Sequence, residues 1–368
     1  MTIRWGIIGC GDVTEVKSGP GFQQATGSSL VAVMRRNGEK AADYAQRHHV
    51  PHHFNDADDL INHPEVDAVY IATPPGRHLE YALKVCKAGK PAYVEKPMAR
   101  TETECAQMVD TFEKAGVPLF VAYYRRSLDR FIKARDLTQS GRIGNVTGVT
   151  YRFSTQPLRR VDTNTELTGA TPIEPHVDLP WRVIAEDAGG GLFLDIGCHT
   201  LDIIDFITGG PLQFVGGAAA NRAGLYDVED TVTLSFLTHE GAVGAAHWNF
   251  AAGFLDDDIE ITGSLGRISL STFGKEPVHL FTATGLETFD LPNPVNIQAP
   301  MIQSIVNTLL GVEGAACPST GATALRTSRL IDKSLNSYYG GRQDAFWARP
   351  DTWPGRIARP TRRTLCFT

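Results

Sequence analysis

The sequence predicts an α/β fold: a doubly wound parallel sheet, followed by an α+β domain on a large open, mostly antiparallel sheet. Three observations carry that prediction. Over the first third, short apolar strands alternate with helical patterns; after about residue 145, β-rich runs follow one another across turns; and 368 residues exceed what one core organises. At 42% hydrophobic and 21% charged, the composition is that of a globular chain.

Strands are expected at Trp5–Ile8, Leu30–Val33, Ala68–Ala72, Ala92–Val94 and Leu119–Ala122, each bounded by Gly, Pro or polar residues. Helices fall between them at Glu39–His48, His78–Ala88 and Thr101–Ala115. Thr101 reads as the N-cap of the last, with Glu104 as its capping-box carboxylate. Next, Val146–Phe153, Phe214–Ala220, Thr231–Leu237, Val243–Phe250, Ile259–Thr262 and Ile268–Ser271 read as consecutive antiparallel strands. A helix over Leu192–Ile207 interrupts them, and helices at Met301–Leu310 and Ala322–Tyr339 close the series. The expected domains are residues 1–123, residues 124–345 and a basic Pro/Arg-rich tail, 346–368. Arg349–Thr368 sets five arginines against one aspartate and reads as a surface-lying or mobile tail.

The net charge of −6 argues against nucleic acid as a partner. No apolar run approaches the ~20 residues of a membrane span, and the first residues lack the pattern of a signal peptide, so a cytoplasmic protein is expected. Six scattered cysteines without a CxxC pair exclude a zinc ribbon or a disulfide scaffold. No metal is expected. Pro51 breaks the His48–His53 tract, which reads as surface, and Asp256–Asp258 lacks the alternating oxygens of a calcium loop. Cys198 beside His199 reads as a small packed residue, because adjacent helical residues do not face each other.

The chemistry begins at Gly9-Cys10-Gly11-Asp12-Val13-Thr14, after the first strand. Glycines at its first two positions allow a tight turn and close approach to a pyrophosphate at a helix N-terminus. Thr14 stands at the third position, where a smaller residue packs more closely. The second strand ends in Arg35-Arg36, with Lys40 beyond, where a ribose-binding carboxylate would select NAD(H). Cations there suit a 2′-phosphate, so NADP(H) is preferred and NAD(H) remains possible. Ala72-Thr73-Pro74-Pro75 and Glu95-Lys96-Pro97 end parallel strands, where open α/β sheets bind ligands. Glu95 is a possible charge partner for Lys96, and Lys96–Pro97 a candidate cis peptide. In Gly189–Asp202, a helix beginning after the glycines sets Asp195, His199 and Asp202 at i, i+4, i+7 on one face. Asp195 is then expected to fix the His199 tautomer and favour the imidazolium, and His199 to exchange a proton with a substrate hydroxyl.

With these motifs the chain resembles the glucose–fructose oxidoreductase / inositol dehydrogenase / rhizopine-catabolism (Gfo/Idh/MocA) family. The resemblance runs to about Tyr339 and rests on Gly9-Cys10-Gly11, Ala72-Thr73-Pro74, Glu95-Lys96-Pro97, Trp181-Arg182 and the Gly189–Asp202 run. It implies a Rossmann domain, a substrate domain that commonly makes the dimer contact, and oxidation or reduction of a secondary hydroxyl or carbonyl on a sugar or cyclitol. Lys96, Asp195 and His199 match the family's catalytic positions. The cofactor is expected against Gly9, Gly11, Asp12, Val13, Arg35, Arg36, Lys40, Thr73, Pro74, His78, Glu95, Lys96, Trp181 and Arg182. The substrate is expected against Lys96, Tyr124, Arg125, His176, Asp195 and His199. A homodimer or homotetramer is expected. Tyr123–Arg126 and the long polar stretch Gln156–Pro180 depart from the family pattern and leave the substrate open. Two other roles stay in view within the family: transient redox on a tightly held nucleotide during elimination, epimerisation or glycoside cleavage, and non-catalytic nucleotide sensing.

Overall fold

The computed structural model describes residues 1–157 and 179–356. Its first sheet holds β1 (Ile3–Ile8), β2 (Ser28–Met34), β3 (His52–Phe54), β4 (Ala68–Ile71), β5 (Ala92–Val94) and β6 (Leu119–Val121). All pair in parallel, in the order β3-β2-β1-β4-β5-β6. Every residue of β4, β5 and β6 is buried, which is why they read as unbroken apolar runs. Between the strands lie α1 (Gly19–Gln24), α2 (Gly38–Arg47), α3 (Ala57–Ile61), α4 (His78–Lys87) and α5 (Glu102–Ala115). Thr101 caps α5 by accepting from the Glu104 N–H at 3.2 Å, and Gly116 ends it at φ 65°. The Glu104 carboxylate does not close a capping box; it pairs with Arg100, whose guanidinium is a stronger donor than the N-cap amide. Chain order reverses between β1 and β4, and the crevice at that switch point is the ligand position of such sheets.

The second sheet holds β7 (Val146–Ser154), β8 (Gln213–Ala220), β9 (Thr231–Leu237), β10 (Val243–Asn249), β11 (Asp256–Gly263), β12 (Gly266–Leu270), β13 (Val278–Thr282) and β14 (Gly285–Phe289). Its order is β14-β13-β12-β11-β7-β10-β9-β8. The pairs are antiparallel except β7–β10, which is parallel: β7 is inserted between strands that follow it in sequence. The helices here are α6 (Asp129–Gln139), α7 (Ala185–Ala188), α8 (Cys198–Thr208), α9 (Ala299–Leu309) and α10 (Gly321–Tyr339). Val149, Tyr151, Phe153, Val232, Leu234, Phe236, Ile259 and Ile261 form the buried face of the sheet. On the other face Val215 and Val243 are exposed.

Two expectations need correction. The helix expected over Leu192–Ile207 opens as a π turn, Phe193–Gly197, before α8 begins. Residues 346–356 do not lie loose: Phe346 and Trp353 are buried against Tyr339, and Trp353 Nε1 donates to the Phe346 carbonyl at 2.9 Å. The Pro/Arg content suggested a tail, but the aromatic residues decide the packing. The rest of that stretch, from 357 on, lies outside the described residues.

Candidate active site

Gly9 leaves β1 at φ 93°, and a Cβ there would sit 2.9 Å from Thr73 Cγ2, so the two strand-end loops meet closely only around glycine. At Gly11 a Cβ would meet only the Gly9 carbonyl, at 3.9 Å. Thr14 closes the loop rather than loosening it. Its Oγ1 accepts from Gly11 N at 2.9 Å and donates to Gly11 O at 2.8 Å, and a π turn, Thr14–Ser18, follows. Asp12 is exposed and Val13 half-buried at this turn. Among the described residues, Arg35, Arg36 and Lys40 have no side-chain ion-pair partner. Asn37 between them caps α2 by accepting from Lys40 N at 3.0 Å. Thr73 Oγ1 is buried with no hydrogen-bond partner among the described residues, beside half-buried Pro74. Open backbone, free cations and an orphaned hydroxyl along one crevice fit a phosphate-bearing dinucleotide.

Lys96 projects from the end of β5 toward the π turn. Its Nζ donates to Asp195 Oδ1 at 2.5 Å and to the Asp195 carbonyl at 3.0 Å. Arg182 Nε reaches the other oxygen, Oδ2, at 3.1 Å, with its guanidinium 4.5 Å over the Trp181 ring. Burial pulls the Lys96 pKa down, but the Asp195 charge together with those of Cys198 and Glu95 and the hydrogen bond to Asp195 leaves the ammonium raised. Burial likewise pushes Asp195 up, and Lys96 and then Arg182 hold it below the ordinary carboxylate range. This is a firm ion pair.

Asp195 is therefore not the partner of His199. Two cations occupy its oxygens, and the π turn interrupts the i, i+4 stacking that the spacing assumed. Asp202 also turns elsewhere, accepting from Arg126 Nε at 2.9 Å and Nη2 at 2.8 Å in a buried pair. His199 is 4% exposed, and its Nδ1 has no partner among the described residues. Edge-to-face contacts from Tyr123, Tyr124 and Phe273 surround the ring at centroid distances of 6.2, 5.5 and 5.9 Å. Burial, then the charges of Arg125, Lys96 and Lys17, hold its pKa well below 6.5. The expected imidazolium is replaced by a neutral ring.

Glu95 does not pair with the Lys96 ammonium. It accepts from Tyr70 Oη at 2.5 Å, Gln298 Nε2 at 2.9 Å and the Lys96 backbone N–H at 3.1 Å, a buried anchor for the strand end. His78 is wholly buried, with no surface to offer a cofactor. Its Nε2 lies 2.6 Å from the Thr73 carbonyl and its Nδ1 3.1 Å from that of Pro97, across the cis Lys96–Pro97 bond. The ring joins the two loops from behind. Tyr124 and Arg125, both buried, lie beside His199, whereas His176 is outside the described residues. Phe273 and Thr272 were not singled out from the sequence; they follow β12 and carry no motif. Arg342 was also missed. Fully buried, it donates to Gly189 O and Arg100 O at 2.7 Å each and pairs with Asp332 at 2.8 Å. In the His48–His53 tract, His52 pairs with Glu65 at 2.6 Å and packs against the tilted His63 ring, 4.4 Å between centroids, so it is not a freely solvated side chain.

Comparison with known proteins follows the same division of the chain. Residues 3–123 match the model of an oxidoreductase family with an NAD-binding Rossmann fold, and residues 131–269 match a GFO/IDH/MocA C-terminal domain. Oxidoreductase P35 of Formosa agariphila is 37% identical over 316 residues, 86% of this chain and 93% of that protein. A 1,5-anhydro-D-fructose reductase of Ensifer adhaerens is 28% identical over 339 residues, 90% of this chain and 96% of its own. Among solved structures, aldose-aldose oxidoreductase from Caulobacter crescentus, complexed with glycerol, shares the fold at TM-score 0.77. It is 23% identical and covers 90% of this chain and 96% of its own.

Proposed function

The chain belongs to the Gfo/Idh/MocA family of oxidoreductases, with an NAD-binding Rossmann domain, and from that premise we propose how its own residues work. The reading is a dehydrogenase or reductase that moves a hydride between NADP(H) and a secondary hydroxyl or carbonyl of a sugar or polyol. The relatives support the substrate class, being named for anhydrofructose reduction and inositol oxidation. The observation that carries the mechanism is a neutral His199, its Nδ1 without a partner among the described residues, close enough to the Lys96–Asp195 pair to feel the Lys96 charge.

Gly9, Gly11, Asp12 and Val13 would hold the pyrophosphate, Arg35, Arg36 and Lys40 the 2′-phosphate, and Thr73 and Pro74 the end nearer the ring. When bound, the nicotinamide supplies or takes up the hydride. In oxidation, His199 accepts the hydroxyl proton, while the Lys96 ammonium orients that oxygen and stabilises its developing negative charge. Asp195 keeps Lys96 charged and, with Arg182, fixed in place. Lys96 as the base is the weaker assignment, since its pairing with Asp195 favours the protonated form. The test is nicotinamide absorbance with NADP⁺ and NAD⁺, or their reduced forms, over a panel of sugars, cyclitols and their ketones. Cofactor-dependent turnover is expected. Conversion of substrate with no net absorbance change would select transient redox instead, and binding without conversion would select sensing.

A further inference from the structure

Arg125 poses a problem that the reaction above does not solve. It is 5% exposed, yet no carboxylate pairs with it among the described residues. Its Nε donates to the Thr272 carbonyl at 3.0 Å; neither terminal nitrogen has an acceptor among those residues, and Nη1 is itself buried. Neighbouring buried arginines find acceptors within the fold: Arg126 faces Asp202 and Asp205, and Arg342 faces Asp332. Arg130, which also lacks a carboxylate partner among the described residues, donates from its terminal nitrogens to Ser271 Oγ and the Gly274 and Glu276 carbonyls. A buried guanidinium without acceptors is strongly unfavourable, so one that persists calls for an anion from outside the fold.

The surroundings say where that anion binds. The guanidinium lies 5.0 Å from the Tyr124 ring centre and 4.5 Å from that of Phe273. The same two rings flank His199. Of the neighbouring charges, Arg125 depresses the His199 proton affinity most. Arg125 thus adjoins the proton-transfer group on the substrate-domain side, through Thr272, and follows the edge strand β6, which three strands separate from β2, the strand that leads to Arg35-Arg36. The charges that act on His199 are those of Arg125, Lys96 and Lys17. Asp195 is taken up by Lys96 and Arg182, and Asp202, which also feels Arg125, is taken up by Arg126.

We propose that Arg125 binds a carboxylate of the substrate, so that the sugar or polyol turned over is an acid of the uronate or aldonate class. This rests on the oxidoreductase reading and narrows it. Two terminal N–H groups clamped between aromatic faces suit a planar carboxylate, whereas a phosphate ordinarily recruits several donors.

The experiment compares D-gluconate, D-glucuronate and D-galacturonate with D-glucose and D-galactose, and with D-glucose 6-phosphate as the other oxyanion. Binding to the NADPH-loaded enzyme is read by nicotinamide fluorescence, and turnover by absorbance. The acids should bind at least tenfold more tightly than their neutral parents. Arg125→Gln should abolish that preference, chiefly through KM, and Arg125→Lys should keep part of it. Thermal melts and NADPH affinity of both variants report folding. Equal binding of acid and neutral parent, equal loss of both in Arg125→Gln, or a preference confined to the phosphate would each overturn the proposal. Arg125-dependent binding of an acid without any hydride transfer would uphold the carboxylate subsite and count against the oxidoreductase reading. Turnover blind to the carboxylate would do the reverse.

Discussion

A histidine kept neutral by burial and by neighbouring cations is ready to accept a proton at any pH above its ordinary value of 6.5. Because the folded pKa lies below that value, protonation of His199 removes the base only at lower pH. The acidic limb of kcat/KM for oxidation should therefore fall below pH 6.5, which a pH–rate profile on the true substrate checks. His199→Ala should lower kcat by ~10²–10⁴-fold while NADPH affinity, read by fluorescence, is largely kept. The same scale holds the cofactor choice. Two charge-assisted contacts of ~1.5–3 kcal/mol each predict at least a tenfold preference for NADP(H), and Arg35→Asp with Arg36→Ala should erase it in a titration of both cofactors. Lys96, Asp195 and His199 were all legible from motif and spacing. Their pairing was not, because helical spacing names neighbours only where the helix is α, and it takes no account of Arg182 arriving from another segment.

Among the elements, the segment after α10 carries the largest stability prediction. Arg342 ties the loop after β5, through Arg100, to Gly189, which leads into the π turn and α8. Arg342→Ala leaves the half-buried Asp332 without its cation, and should cost about 3 kcal/mol, seen as a lower urea midpoint. If the midpoint barely moves, this clasp is not structural. Most elements could be read because burial and period agree, as in β9, where Val232, Leu234 and Phe236 alternate inward. The exceptions have physical reasons. β3 is three residues long, too short to show a period. β14 is an edge strand with exposed residues through most of its length, so no apolar alternation marks it. α6 buries Arg130 and Thr138 along with Phe131, Ala134 and Leu137, which masks its apolar stripe.

At the scale of the whole molecule, the eight-stranded sheet is packed by helices on one face and leaves Val215 and Val243, at 58% and 64% exposure, on the other. Antiparallel sheets tolerate one solvated face, but exposed valines on one favour a partner of the same shape. A symmetric dimer through this face is expected, and light scattering at micromolar concentration checks it; a monomer would count against it. The clasp of Arg342 also sets an order of events during synthesis. Both sheets are complete before residue 342 leaves the ribosome, and domains form as their residues emerge. Until then the loop bearing Lys96 and the turn bearing Asp195 lack the side chain that holds Arg100 and Gly189 together. A nascent chain thus completes both sheets before the side chain that joins Arg100 to Gly189 is available, and that clasp is the last of these ties to close.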